Sequence, residues 1–143
     1  MDDLSSEQML ALSQAVIHHM DEWQITPEQM IDLLGVADQV KSRHLNALRI
    51  GSKALPNRAE VLQRIDHIVG IADALRTTFP FSSQMRHLWL QKPHRRFHKL
   101  TPLSVMLAEG VAGLQKVRIE VDCSYGYAIN DALHAAALQS PRH

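Results

Sequence analysis

Between Val61 and Leu75 apolar residues recur at every third or fourth place: Val61, Leu62, Ile65, Ile68, Val69, Ala72 and Leu75. At that spacing side chains stack along one face of an α-helix. The pattern runs through Gly70, which lowers helix propensity but lets a neighbour approach closely. A long helix with one apolar face must bury it. No period-two run of β-branched residues is present elsewhere to build a sheet for it. The chain is therefore expected to be all-α, a compact multi-helix fold around this central helix.

Punctuation residues divide the rest. A first helix is expected from about Glu7 to Met20, capped by Ser5 or Ser6, with Met9, Leu12, Val16 and Met20 on one face. Trp23 then anchors a short linker. Thr26 caps a second helix, Pro27 takes its first position, where a missing N–H costs little, and Gln29 completes a capping box. Met30, Ile31, Leu33 and Leu34 form its apolar side, and Gly35 is placed to leave it in a left-handed conformation. A third helix is expected from Ala37 or Asp38 to about Leu48, with Gln39, Lys41, Ser42, Arg43 and Asn46 on its polar face. Short helix, glycine turn, then a polar and basic helix is the helix-turn-helix pattern, which a buried helical hairpin shares.

Beyond the 51–57 linker and the central helix, a fifth helix is expected over roughly Ser83 to Leu90, with Met85, Leu88 and Trp89 facing inward and Pro93 as its stop. His94–Leu100 reads HRRFHKL, the densest basic stretch of the chain. Thr101 and Pro102 repeat the start seen at Thr26, Gly110 ends that sixth helix, and a seventh carries Val111, Leu114, Val117 and Val121. Asp131 to Leu138 reads as a last alanine-rich helix or as a tail that orders on a partner.

Charge is unevenly spread. The 143 residues have a formal net charge of zero, and at 45% apolar they suffice for one core. Yet residues 1–40 hold eight acids (Asp2, Asp3, Glu7, Asp21, Glu22, Glu28, Asp32, Asp38) and no Lys or Arg, while residues 41–118 hold fourteen Lys/Arg against four acids. Such a chain is expected to have a dipolar field. One reading is a solvated surface of uneven composition, the other a basic face for a phosphate backbone or an acidic partner.

Catalytic and metal readings find little support. Cys123 is the only cysteine, so an internal disulfide and a cysteine-based metal cluster are excluded and a reducing compartment is expected. Nine histidines include no His-Glu-x-x-His pattern, His18 and His19 are adjacent and diverge on a helix, and His94 and His98 stand among three cations. No serine elbow or glycine-rich phosphate loop is present. No catalytic residue, metal or cofactor is expected. MDDLSSEQML lacks the basic and apolar regions of a secretory signal, and no stretch approaches 18 apolar residues, so a cytosolic protein with no membrane partner is expected.

Residues 89–121 read W-L-x-x-P-x-x-x-F-x-x-x-T-P-L followed by G-x-x-G-L-x-x-V-R. This resembles the toxin-binding region of the Xre/MbcA/ParS antitoxin family, whose partners are RES-domain toxins. Trp89 and Leu90 match its Trp-Leu pair, Pro93 the following proline, Phe97 the apolar residue of the loop, and Thr101, Pro102 and Leu103 its Ser/Thr-Pro-Leu. Gly110, Leu114 and Val117 match the glycine turn and the packing residues after it. Upstream, Leu33-Leu34-Gly35-Val36 and Arg43 match an Xre-like helix-turn-helix, and residues 59–76 match its long helix, so the similarity covers roughly residues 6–122.

The resemblance implies a helix-turn-helix region over 1–55, a toxin-binding region over 56–122 and a C-terminal extension over 123–143. It implies a non-enzymatic antitoxin that occludes an NAD-consuming RES-domain toxin, binds double-stranded operator DNA to repress its own operon, and forms a homodimer. DNA would meet Gln39, Lys41, Ser42, Arg43 and Asn46, with Lys53 and Arg58 on phosphates. The toxin would meet Arg95, Arg96, Phe97, His98 and Lys99, with Tyr125, Tyr127 and Arg142 of the tail. A regulator with this helix-turn-helix and no toxin, or an interaction module with an inactive one, are the alternatives. One departure stands out. Where the family commonly has a pair of small residues, often glycine, after the loop's apolar residue, this chain has His98 and Lys99. If those glycines admit another backbone, the partner contact differs here.

Overall fold

The structure, a computed structural model, describes residues 4–123, and within them every regular element is helical. In chain order they are α1 (Ser6–Asp21), α2 (Pro27–Leu34), α3 (Leu45–Arg49), α4 (Ala59–Thr78), α5 (Ser83–Gln91) and α6 (Pro102–Glu109). Residues 111–123 form α7. Short 3-10 turns occupy Ser42–His44 and Arg95–Phe97. The all-α expectation holds.

Helix starts follow the caps legible in the sequence. The Ser5 hydroxyl accepts the Gln8 N–H at 3.1 Å while the Gln8 side chain accepts the Ser5 N–H at 2.8 Å. Thr26 and Gln29 make the same reciprocal pair at 3.1 and 2.9 Å, and Thr101 accepts the Ser104 N–H at 3.0 Å. Each cap satisfies donors that the helix leaves open and contributes about 1 kcal/mol. Gly35 leaves α2 at φ 69°, in the left-handed region as its position predicts.

The core collects around α4. Ile65, Ile68, Ile71 and Leu75 are fully buried there, with Ile17, Met20 and Trp23 from the α1 end, Leu33 and Leu34 from α2, Leu48 from α3, Leu90 from α5 and Met106 from α6. α1 packs on both α3 and α4. The buried Ser13 hydroxyl donates to the Met9 carbonyl at 2.6 Å and accepts the Leu55 N–H at 2.8 Å, pinning the 51–57 linker to α1. Gly70 admits a neighbour as expected, and the neighbour is the guanidinium of Arg118 from α7.

The third helix is the main correction. Residues 37–39 form a turn, Lys41 is extended at φ −109° and ψ 163°, and Ser42–His44 wind as 3-10 before α3 begins at Leu45. The cause is a phase slip. Val36 and Val40 are buried four apart, and Leu45 and Leu48 three apart, but Val40 and Leu45 are five apart. In one continuous helix those two would diverge by about 140°. Breaking the helix at Lys41 lets both sides reach the core. The His44 ring nitrogen Nδ1 accepts the Lys41 N–H at 3.0 Å and secures the break.

Candidate functional site

The basic loop between α5 and α6 is tightly folded. The His94 N–H donates to the Leu100 carbonyl and the Lys99 N–H to the His94 carbonyl, each at 3.0 Å, so residues 94 and 100 form an isolated antiparallel bridge. The Phe97 N–H also reaches the His94 carbonyl at 3.0 Å. Closing the loop this way puts His98 at φ 53° and Lys99 at φ 69°, two successive left-handed residues without glycine. Left-handed backbone costs a β-carbon-bearing residue about 1–2 kcal/mol. It is the conformation that favours glycine.

His94 organises the loop. Its Nε2 lies 2.9 Å from the Trp89 carbonyl oxygen, and its ring packs on Trp89 with centroids 4.6 Å apart. Phe97 points inward, is only 8% exposed and lines the groove beside the loop. Arg95, Arg96, His98 and Lys99 are exposed. Beside them opens a groove of about 320 Å³, floored by Phe97 and Val105 and walled by Leu100 and Ile119, with Arg96, Glu109, Lys116 and Glu120 at its rim. Leu100 and Ile119 are 52% and 61% exposed, an apolar strip that the charge pattern of the loop did not reveal. Lys116 pairs with Glu109 and Arg96 lies 3.8 Å from Glu120. Among the described residues no carboxylate pairs with Arg95 or Lys99. Tyr125, Tyr127 and Arg142, and the expected last helix, lie outside the described residues.

The residues expected to face DNA share no helix face. Gln39 is in the turn, Lys41 is extended with its ammonium on the Ala37 carbonyl at 3.1 Å, Ser42 and Arg43 are in the 3-10 turn, and only Asn46 is on α3. Three of the expected cations act on one imidazole. Partial burial, then Lys53, Arg43 and Lys41, push the His44 imidazole below its usual pKa. Arg58 is engaged elsewhere: its guanidinium forks onto Asp38 at 2.9 and 3.3 Å and reaches the Gly35 carbonyl at 3.2 Å. That hydrogen bond holds the Asp38 carboxyl below its ordinary range.

Other pairings between the acidic start and the basic middle had no signal in the sequence. Arg49 meets Asp21 through two bonds of 2.8 Å, and Arg86 meets Glu22 at 2.7 and 3.2 Å. Arg64 donates to the Asp32 and Leu33 carbonyls at the end of α2, at 3.4 and 3.2 Å. No group of three or more His, Cys, Asp or Glu among the described residues is placed to hold a metal ion. No described helix is long and apolar enough to cross a membrane. Comparison with known proteins finds no matching family model, no matching curated protein and no matching solved structure.

Proposed function

We propose that the chain is the antitoxin of a type II toxin-antitoxin pair, a cytoplasmic non-enzymatic homodimer that binds and inhibits a RES-domain toxin. The observation that carries this reading is the 94–100 loop. Its paired left-handed residues, His98 and Lys99, fall at the two places where the similar pattern has small residues. They sit between the Trp89-Leu90 pair and the Thr101-Pro102 cap and beside an apolar groove. Strained, charged, exposed residues persist where their side chains are used. Arg95 and Lys99 offer charge to an acidic surface, while Leu100 and Ile119 offer the apolar contact that gives such a surface its affinity.

Operator binding is the second part of the proposal. Lys41, Arg43 and Lys53, whose charges all act on His44, suit phosphate contacts more than base reading, because a five-residue α3 is about 7.5 Å long and carries only Asn46 of the expected readers. The shortness of α3 favours one alternative, a protein-interaction module whose helix-turn-helix is inactive. Co-expression with a RES-domain protein encoded beside this chain decides the first part: a stable complex and relief of growth arrest are expected. Failure of both with an active toxin rejects it. Salt-sensitive binding of the chain to the DNA upstream of its own gene is expected for the second part. Its absence leaves the interaction module.

A further inference from the structure

The turn between α4 and α5 presents a ring to solvent. Phe81 is 99% exposed, although its neighbours on both sides are fixed. The Phe79 N–H bonds to the Leu75 carbonyl at 2.8 Å, and the Phe79 carbonyl accepts from Arg86 at 2.6 Å while Arg86 grips Glu22. Ser82 caps α5 through the Met85 N–H at 3.1 Å, and Pro80 restricts the backbone between. An aromatic ring held out on a braced turn has already given up much of the freedom that binding would remove.

The same segment contains a place for such a ring. A socket of about 130 Å³ is lined by Phe79, Met85, Leu88, Trp89, Lys92 and His94. A cavity of about 150 Å³ with apolar walls accepts benzene, so the size suits a phenyl group. No carboxylate lines the socket, and Lys92 on its wall is the charge that the face of an aromatic ring attracts. Knob and socket both lie within residues 79–94. An isologous contact needs both on one self-complementary patch, so that each copy gives and receives the same group.

We propose that Phe81 of one copy seats in the Phe79–Trp89 socket of a second copy, and reciprocally, forming the anchor of a two-fold dimer. This rests on the homodimer part of the reading above and is independent of the toxin. Residues 74–108 contain six Lys/Arg and no acid, and Arg86 is paired with Glu22, which Arg76 approaches at 3.9 Å. The contact is therefore apolar between like-charged surfaces, and it tightens as salt screens them.

Sedimentation equilibrium of the full chain tests it. Phe81→Ala should weaken the dimer about a hundredfold, since it removes two rings at about tenfold each. Raising ionic strength should strengthen the unmutated dimer. Met85→Trp, which fills the socket, should also give a monomer. An equimolar mixture of the two variants should recover a dimer, because one ring and one open socket remain between them. A dimer untouched by Phe81→Ala overturns this surface and leaves the homodimer reading standing. A chain that stays monomeric at every attainable concentration overturns both. A monomer that loses thermal stability on Phe81→Ala places the ring in its own chain's socket and overturns the proposal.

Discussion

Two stretches of this chain are basic in sequence, and the fold treats them differently. Around α2 to α4, Arg49 is locked to Asp21, Arg58 to Asp38, and Arg64 to Glu60 and the carbonyls ending α2. In the 94–100 loop, Arg95 and Lys99 are exposed and no described carboxylate reaches them. The difference lies in where the acids are. Asp21, Asp38 and the end of α2 all come from the acidic first forty residues, so much of the charge asymmetry is neutralised inside the molecule. Residues 74–108 have no acid of their own, and their loop cations stay outward. A run of basic residues marks a charged surface only when the fold keeps acids away from it.

The inward pairs can be broken most visibly at Arg86. Its side chain is 12% exposed and holds both Glu22 and the Phe79 carbonyl. Arg86→Ala leaves the Phe79 carbonyl without its donor and Glu22 with only Arg76, 3.9 Å away, and is expected to cost about 2 kcal/mol. Denaturant midpoints measure it. Arg95→Ala, in the outward set, should leave stability within about 0.5 kcal/mol of the original. Equal effects at both positions would erase the distinction between the two regions.

The outward region carries its own cost at His98 and Lys99. Replacing both with glycine removes about 1–2 kcal/mol of left-handed strain at each and adds back about 0.5–1 kcal/mol of chain entropy. The net expectation is a gain of about 1 kcal/mol for the pair, read from thermal unfolding. Affinity for the proposed toxin should fall in the same variant, since the Lys99 charge is gone. A variant both more stable and equally tight would show that neither side chain touches the partner.

What the sequence disclosed and what it concealed follow from the range of the interactions. Caps at Ser5, Thr26 and Thr101 act over three residues, and the α4 stripe repeats within one helix, so both could be read directly. The break at Lys41 needed more. It depends on Val40 and Leu45 reaching one core from opposite sides of a slip, and the legible clue was their spacing of five. Pairings such as Glu22 with Arg86 span 64 residues and leave no local trace. At the loop, cations and the departure from glycine were legible, but the apolar groove was not, because Ile119 joins Leu100 only through the packing of α7. Phe97, one of the expected contacts, serves as floor for the same reason.

Acidification separates the buried pairs by a smaller effect. Burial first, then Arg76, holds the His19 imidazole below its ordinary 6.5, and its Nδ1 is buried without a hydrogen-bond partner among the described residues. A histidine with a lowered folded-state pKa takes up its proton more readily unfolded. Stability is therefore full above about pH 6.5 and falls as pH drops from there toward the folded value. The hydrogen bond from Arg86 holds Glu22 below its ordinary 4.5, so its contribution is present above that value and disappears as pH falls through the folded one. Two successive declines are expected in midpoint against pH. His19→Asn should remove part of the upper one, His44→Asn a further part, and Arg86→Ala the Glu22 share of the lower. A single decline below about pH 4 in the unmutated chain would contradict the His19 assignment.

The smallest expected effect is the most discriminating for DNA. Removing one phosphate-binding cation lowers the slope of log affinity against log salt by about 0.9. Arg43→Ala with Lys53→Ala should flatten that slope by about 2, because both cations act electrostatically on His44 and have no described carboxylate partner. Arg58→Ala should leave it unchanged, since its charge is already committed to Asp38. Asp38→Ala then becomes the informative variant. It frees the Arg58 charge and should steepen the slope by about 1 if the duplex lies across this surface. If the slope ignores Asp38 and follows Arg95 and Lys99 instead, the two regions have exchanged the partners proposed for them.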